Sequence, residues 1–222
     1  MDQNFPIVLK KGLQITNIKF SVKIDKEWKL KELHEHCSAL INNHCRLMGS
    51  KIVIRVPNQA KRIIVFPKKK GFKQHVNFTG ISGFDEIENA LNYACEYLNC
   101  EKENFLELKV ENLWSKSLCL IENMRRENVT SLNLRSLVSV LNQTFKGADV
   151  HIRFRPEIFS AIVLRAFNAT TLIYSTGSVI IVGAKNYSSL EKITELLSTI
   201  SPCLVSNLVL TVKPLKTIEQ EI

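Results

Sequence analysis

Apolar and polar positions alternate through residues 13–24, L-Q-I-T-N-I-K-F-S-V-K-I. Ile18, Phe20, Val22 and Ile24 fall on one face. Leu13, Ile15, Asn17, Lys19, Ser21 and Lys23 fall on the other, which makes a half-buried strand with an unusually polar second face. Asp25-Lys26-Glu27 then opens a helix, with Leu30, Leu33, Cys37, Leu40 and Ile41 at helical spacing. Residues 51–56 and 62–66 predict strands joined by Pro57-Asn58-Gln59. A basic loop, 67–73, leads to a strand at 76–82 and a helix from about Asp85 to Leu98.

A second round follows: an alternating strand at 106–119, a helix at 132–141 and an added strand at 150–154. Residues 161–165, 170–174 and 179–182 are three β-branched-rich segments, separated by Phe167-Asn168 and by Ser175-Thr176-Gly177-Ser178. They predict an antiparallel meander. After Gly183-Ala184-Lys185, an S-x-E-like entry at Ser189 to Glu191 starts a helix carrying Leu190, Ile193, Leu196, Leu197 and Ile200. Residues 205–212 alternate again and predict an edge strand or docking segment.

Each round therefore reads strand, helix, several strands, helix, a near-repeat of about a hundred residues. Asn17-Ile18 and Asn112-Leu113 occupy matching places, as do Arg55 and Arg165, and as do the segments ending at Phe66 and Tyr174. The expectation is an α+β fold: two pseudo-symmetric repeats forming one curved antiparallel sheet, with helices on its convex face. Residues 1–11 are an N-terminal extension, 12–104 the first repeat, 105–202 the second and 203–222 a C-terminal extension.

Charge narrows the partner. Thirty Lys and Arg against 21 Asp and Glu leave +9, which favours a polyanion, nucleic acid before an anionic membrane. No 18-residue apolar run exists to span a bilayer, and residues 1–11 lack the basic-then-apolar order of a secretory signal. The six scattered cysteines read as reduced thiols. His34, His36, Cys37, His44 and Cys45 suggest zinc, but helical spacing spreads them and no paired knuckle occurs, so no metal site is expected. No phosphate-binding glycine loop, nucleophile elbow or zinc-protease motif appears, so neither catalytic residues nor a cofactor or small-molecule substrate is expected.

The stretch Phe159 to Lys185 resembles the second half of the TATA-box-binding protein core. There a Phe, an Arg-bearing strand, an L-I-F-x-S-G turn and a V-x-T-G-A-K strand follow in the same order. The counterparts are Phe159, Arg165, Leu172-Ile173-Tyr174, Ser175-Thr176-Gly177 and Ile180-Ile181-Val182-Gly183-Ala184-Lys185. With the repeat, the likeness covers roughly residues 12–202 and implies a saddle that binds and bends A·T-rich duplex DNA through the minor groove.

It further implies roles by position. Asn17 and Asn112 would bond base edges, with Phe159 and Tyr174 as the second-half wedge pair. Phe66 would be one first-half wedge; the other falls at about Gly49, beside Leu47 and Met48. Leu172, Ile180 and Val182 would line the groove, as would Ile64, Asn77 and Thr79. Arg55, Arg165 and Lys185 would face phosphates. Lys19 and Trp114 depart from the pattern by replacing small apolar residues beside the asparagines, and Ser82 and Ser178 stand where lysines are expected.

The reading that follows is a TBP-like initiation factor, recruiting a transcription factor IIB-like protein and an RNA polymerase. It would work in a nucleus, an archaeal cytoplasm or a viral factory. The alternatives are a protein-interaction module that kept the fold but lost DNA binding, and a nucleic-acid-processing enzyme. The chain shows no catalytic domain for the latter.

Overall fold

The computed structural model describes residues 13–126 and 131–207. Ten strands hydrogen-bond in one open antiparallel sheet, with five helices among the described residues. The chain divides into two compact units. One comprises Gln14–Ser115 with Val182–Asn186; the described part of the other is mainly Lys116–Ile181 and the last helix.

In the first unit, β1 (Leu13–Ile24) is followed by α1 (Leu30–Ile41), β2 (Cys45–Met48), β3 (Lys51–Arg55), β4 (Arg62–Val65) and β5 (Gln74–Ile81). Then come α2 (Glu86–Leu98) and β6 (Phe105–Ser117), whose last two residues belong to the second unit. Along β1 from Ile18, and along β3, β4 and β5, alternate apolar residues are buried: Ile18, Phe20, Val22 and Ile24, then Ile52 and Ile54, Ile63 and Val65, and Val76 and Phe78. They pack with Leu33 and Cys37 of α1 and with Ile87, Ala90, Ala94 and Leu98 of α2.

Phe20 and Phe78 are register partners on β1 and β5, and their rings stack with centroids 4.5 Å apart. Because side chains alternate, a one-residue slip would expose this whole row. The Ser82 N–H donates to Glu86 Oε2 at 2.9 Å, and with Lys61 nearby this holds the Glu86 carboxyl below its usual range. Asn99 ends α2 in the left-handed conformation, its N–H bonded to the Cys95 and Glu96 carbonyls.

The second unit holds α3 (Cys119–Arg126), α4 (Leu134–Thr144), β7 (His151–Arg153), β8 (Ile162–Ala166), β9 (Ala169–Ile173), the first half of β10 (Val179–Ala184) and α5 (Tyr187–Asn207). The sheet order across the chain is β2-β3-β4-β5-β1-β6-β10-β9-β8-β7. Asn133 caps α4, its side chain accepting from the Arg135 and Ser136 N–H groups at 3.1 and 3.2 Å. Phe167 and Asn168 both have positive φ and close the β8–β9 hairpin in two residues, matching the strand twist. Ile162, Leu164, Ile173, Val179 and Ile181 form the buried row, against Leu137 and Leu141 of α4 and Leu190, Ile193 and Leu197 of α5.

Several local expectations shift. The helix placed from Asp25 begins at Leu30, because Asp25 is held in the bend after β1: its N–H donates to Asn104 O at 2.8 Å and its carboxylate takes Lys73 Nζ at 2.9 Å. Two short elements, β2 and α3, have too few residues to show a period. The strand expected at 205–212 fails over its first residues, since 205–207 continue α5; the rest lies outside the described residues.

Gly80 and Gly183, near the ends of β5 and β10, have φ of +80° and +84°. A Cβ on Gly80 would lie 2.2 Å from the Ala60 carbonyl oxygen, whereas one on Gly183 meets nothing within 4 Å. Gly183→Ala should cost about 1–2 kcal/mol, from backbone conformation alone. Gly80→Ala should cost about 1–3 kcal/mol more, from overpacking. Urea midpoints measure both, and equal losses would contradict the packing described.

Candidate nucleic-acid interface

The alternate residues of the same strands form a second face that is half-exposed. In the first unit it carries Val53, Ile64, Asn77 and Thr79, with Val53 opposite Ile64 and Ile64 opposite Asn77. In the second it carries Val163, Leu172 and Ile180, with Val163 opposite Leu172. Val182 is likewise half-exposed in the first unit. Rows of β-branched and leucine side chains left wet in this way mark a surface suited to an apolar partner.

Asn17 and Asn112 have the same local task. Asn17 Oδ1 accepts the Gly80 N–H at 2.8 Å, and Asn112 Oδ1 accepts the Gly183 N–H at 2.8 Å. Each glycine's positive φ carries its N–H away from ordinary pairing, and the amide oxygen satisfies it. The β1–β5 register shifts between Ile18 and Phe20, beside the first of these bonds. Each Nδ2 keeps its two donors, with no partner among the described residues. Thr16 Oγ1 donates to the Trp114 carbonyl at 3.2 Å, which sets the two asparagines at similar levels on neighbouring strands.

Phe159 and Tyr174 are brought together, ring centroids 6.2 Å apart at 69°, edge to face. Tyr174 is held by its own turn: its N–H donates to Ser178 O and its carbonyl accepts from Gly177 N–H, both at 3.0 Å. Phe66 is fixed by a buried amide. Gln74 Nε2 donates to Phe66 O at 2.8 Å, while Gln74 Oε1 accepts the Trp28 N–H at 3.0 Å.

Comparison with known proteins then places the chain. Residues 126–201 match the family model of transcription factor TFIID, or TATA-binding protein, TBP. The fold is similar to that of Methanococcus jannaschii TBP, with a TM-score of 0.59 and 19% identity, over 86% of this chain and 98% of that one. The curated proteins compared returned no match. The second half of the chain is thus similar to the TBP family, and the fold as a whole is TBP-like. Its repeated α+β architecture with an open antiparallel sheet is the family's fold, as the sequence led one to expect.

Charge sets the strand face of the first unit apart. A cavity of about 730 Å³ in the first unit is lined by Lys19, Phe66, Phe72, Lys69, Asn77 and Glu111, among others. Lys23 Nζ donates to Glu107 Oε2 at 2.5 Å, which holds that carboxyl below its usual range, and Ser21 Oγ donates to Glu111 Oε1 at 2.9 Å. Trp114 is 45% exposed. Arg55, Arg165, Lys185 and Lys19 are exposed. Lys68 pairs with Glu27 and Lys73 with Asp25; Lys69 and Lys70 have no ion-pair partner among the described residues.

Val53, Val163 and Phe72 went unremarked in the sequence. The first two were legible as the alternate positions of strands already identified; Phe72 hid inside a lysine run. Cys37 and Cys45, expected to be spread apart, are both buried, and Cys37 Sγ donates to Tyr97 O at 3.0 Å. The neighbouring Cys45 thiol and burial push the Cys37 thiol up. Among the described residues no three His, Cys, Asp or Glu side chains could hold a metal ion, and no helix is long and apolar enough to cross a membrane.

Asn112→Ala should leave the Gly183 N–H unpaired and cost about 1–2 kcal/mol. Asn112→Asp keeps the acceptor and should cost less. Chemical denaturation of both variants checks this, and an alanine variant as stable as the parent would show that the bond carries no stability.

Proposed function

We propose that this TBP-family factor binds duplex DNA through the open strand faces, enters the minor groove and bends the duplex. The reading further holds that it recruits a transcription factor IIB-like protein and an RNA polymerase to A·T-rich promoters, in whichever compartment holds that DNA. The observation that carries it is the pair of asparagines. Each spends its oxygen on a glycine N–H and keeps its donors for a partner that offers acceptors. The minor groove of A·T pairs presents only acceptors, the purine N3 and the pyrimidine O2. Half-exposed Ile64, Leu172, Ile180 and Val182, with Asn77 and Thr79, suit the groove floor, where the guanine amino group would clash.

Phe66, Phe159 and Tyr174 are the wedges that unstack end steps, and Arg55, Arg165 and Lys185 hold phosphates. Tyr174 brings a hydroxyl to its wedge, so its step is less dry than the one at Phe159. Lys19 and Trp114 add charge and bulk beside the asparagines, which shifts sequence preference away from a strict TATA element.

A second reading has its own support. Glu107 and Glu111 on the strand face repel phosphate, and exposed Trp114 is a usual anchor in protein contacts. In that case the face docks a protein.

A salt-titrated binding assay with A·T-rich and G·C-rich duplexes separates the two. DNA binding predicts tighter A·T-rich complexes, and removal of Arg165 or Lys185 should flatten the log K against log salt slope by about 0.9 each. Phe159→Ala with Tyr174→Ala should abolish bending, read by end-to-end energy transfer, while low-salt binding persists. Absence of binding at low salt would leave only the protein-docking reading.

A further inference from the structure

The TBP-family pattern expects a first-half wedge at about Gly49, where none is possible. Gly49 opens the two-residue turn between Met48 and Lys51 with φ +58°, a conformation that a phenylalanine adopts only at a cost. A Cβ built there meets nothing within 4 Å, so the place a side chain would fill is open. The cavity of about 730 Å³ reaches it: Ser50, the next turn residue, lines that cavity together with Phe66, the retained wedge.

Phe72 lines the same cavity from the β4–β5 loop. At 66% exposure it is among the most exposed large apolar side chains described. Its loop is anchored rather than loose. Lys68 pairs with Glu27 at 2.5 Å, Lys73 pairs with Asp25 at 2.9 Å, and the Phe72 N–H donates to Lys69 O at 3.0 Å. That leaves Lys69 and Lys70 as cations beside an exposed ring. An aromatic ring flanked by unpaired lysines is the combination that inserts at a base step while neighbouring phosphates are neutralised.

We infer that Phe72, carried on the enlarged basic loop, is the second first-half wedge, replacing from elsewhere on the same cavity the side chain that Gly49 lacks. The inference rests on the DNA-binding reading above. It goes beyond it by assigning an insertion residue at a loop position that the sequence pattern does not supply.

The test uses the full chain and an A·T-rich duplex carrying 2-aminopurine at each end of the footprint, with end-labelled dyes to report bending. For the parent protein, 2-aminopurine fluorescence should rise at both ends. Phe72→Ala should lose the rise at one end only, reduce the bend and weaken binding about tenfold. Phe72→Trp should restore all three. Phe159→Ala should instead silence the opposite end. If the parent binds and bends but Phe72→Ala leaves both fluorescence signals intact, the assignment is overturned; loss of one signal in Leu47→Ala with Met48→Ala would then pass the role to the β2–β3 turn. If the parent neither binds nor bends any duplex at low salt, the DNA-binding reading itself fails and this inference with it.

Discussion

Strand periodicity with burial on one side only is the constraint from which the molecule follows. Phe20 can stack on Phe78, and Ile54 can sit beside Ile63, only if the intervening residues face away from the helices. Those intervening residues cannot slip inward without moving the buried row out, so the half-exposed face is fixed as firmly as the core is. An interface built on it inherits the rigidity of the hydrophobic packing behind it, which is what recognition of a stiff, regular partner requires.

The two asparagines show how local chemistry serves this frame. A glycine near the end of each closing strand bends the backbone through positive φ, and a neighbouring strand's amide oxygen takes the displaced N–H. Each side chain thus gives its oxygen to the fold and keeps both amide donors unspent. Around that shared device the first unit has changed its chemistry: lysines and glutamates on the strand face, a tryptophan beside Asn112, and a glycine turn where an aromatic is expected. The second unit keeps the aromatic pair in contact.

Much of the fold was legible because long strands with one buried face write a period-two signal, and because the pattern occurs twice. β1, β6 and the meander of β8 to β10 all lie within a residue or two of where alternation put them. What escaped was short or non-periodic. The four residues of β2 and the eight of α3 hold too few repeats to declare themselves. Asp25 looks like a helix opener because sequence cannot show its bond to Asn104, nearly eighty residues on. At the candidate interface the asparagines were visible as matched positions, but their glycine partners were not. Phe72 was masked by the lysines around it, since a charged run reads as solvated loop whatever aromatic it carries.

The division into units has a consequence for how the polypeptide is made. Val182–Asn186 belong to the first unit although they are translated after most of the second. Emerging from the ribosome, residues 14–115 must wait with one sheet edge unfilled, and the Asn112 side-chain oxygen without its glycine N–H, until the chain has grown some seventy residues further. Truncation midway therefore yields an unfinished amino-terminal lobe rather than a free-standing one, and the exposed edge of β6 is where such a fragment would aggregate.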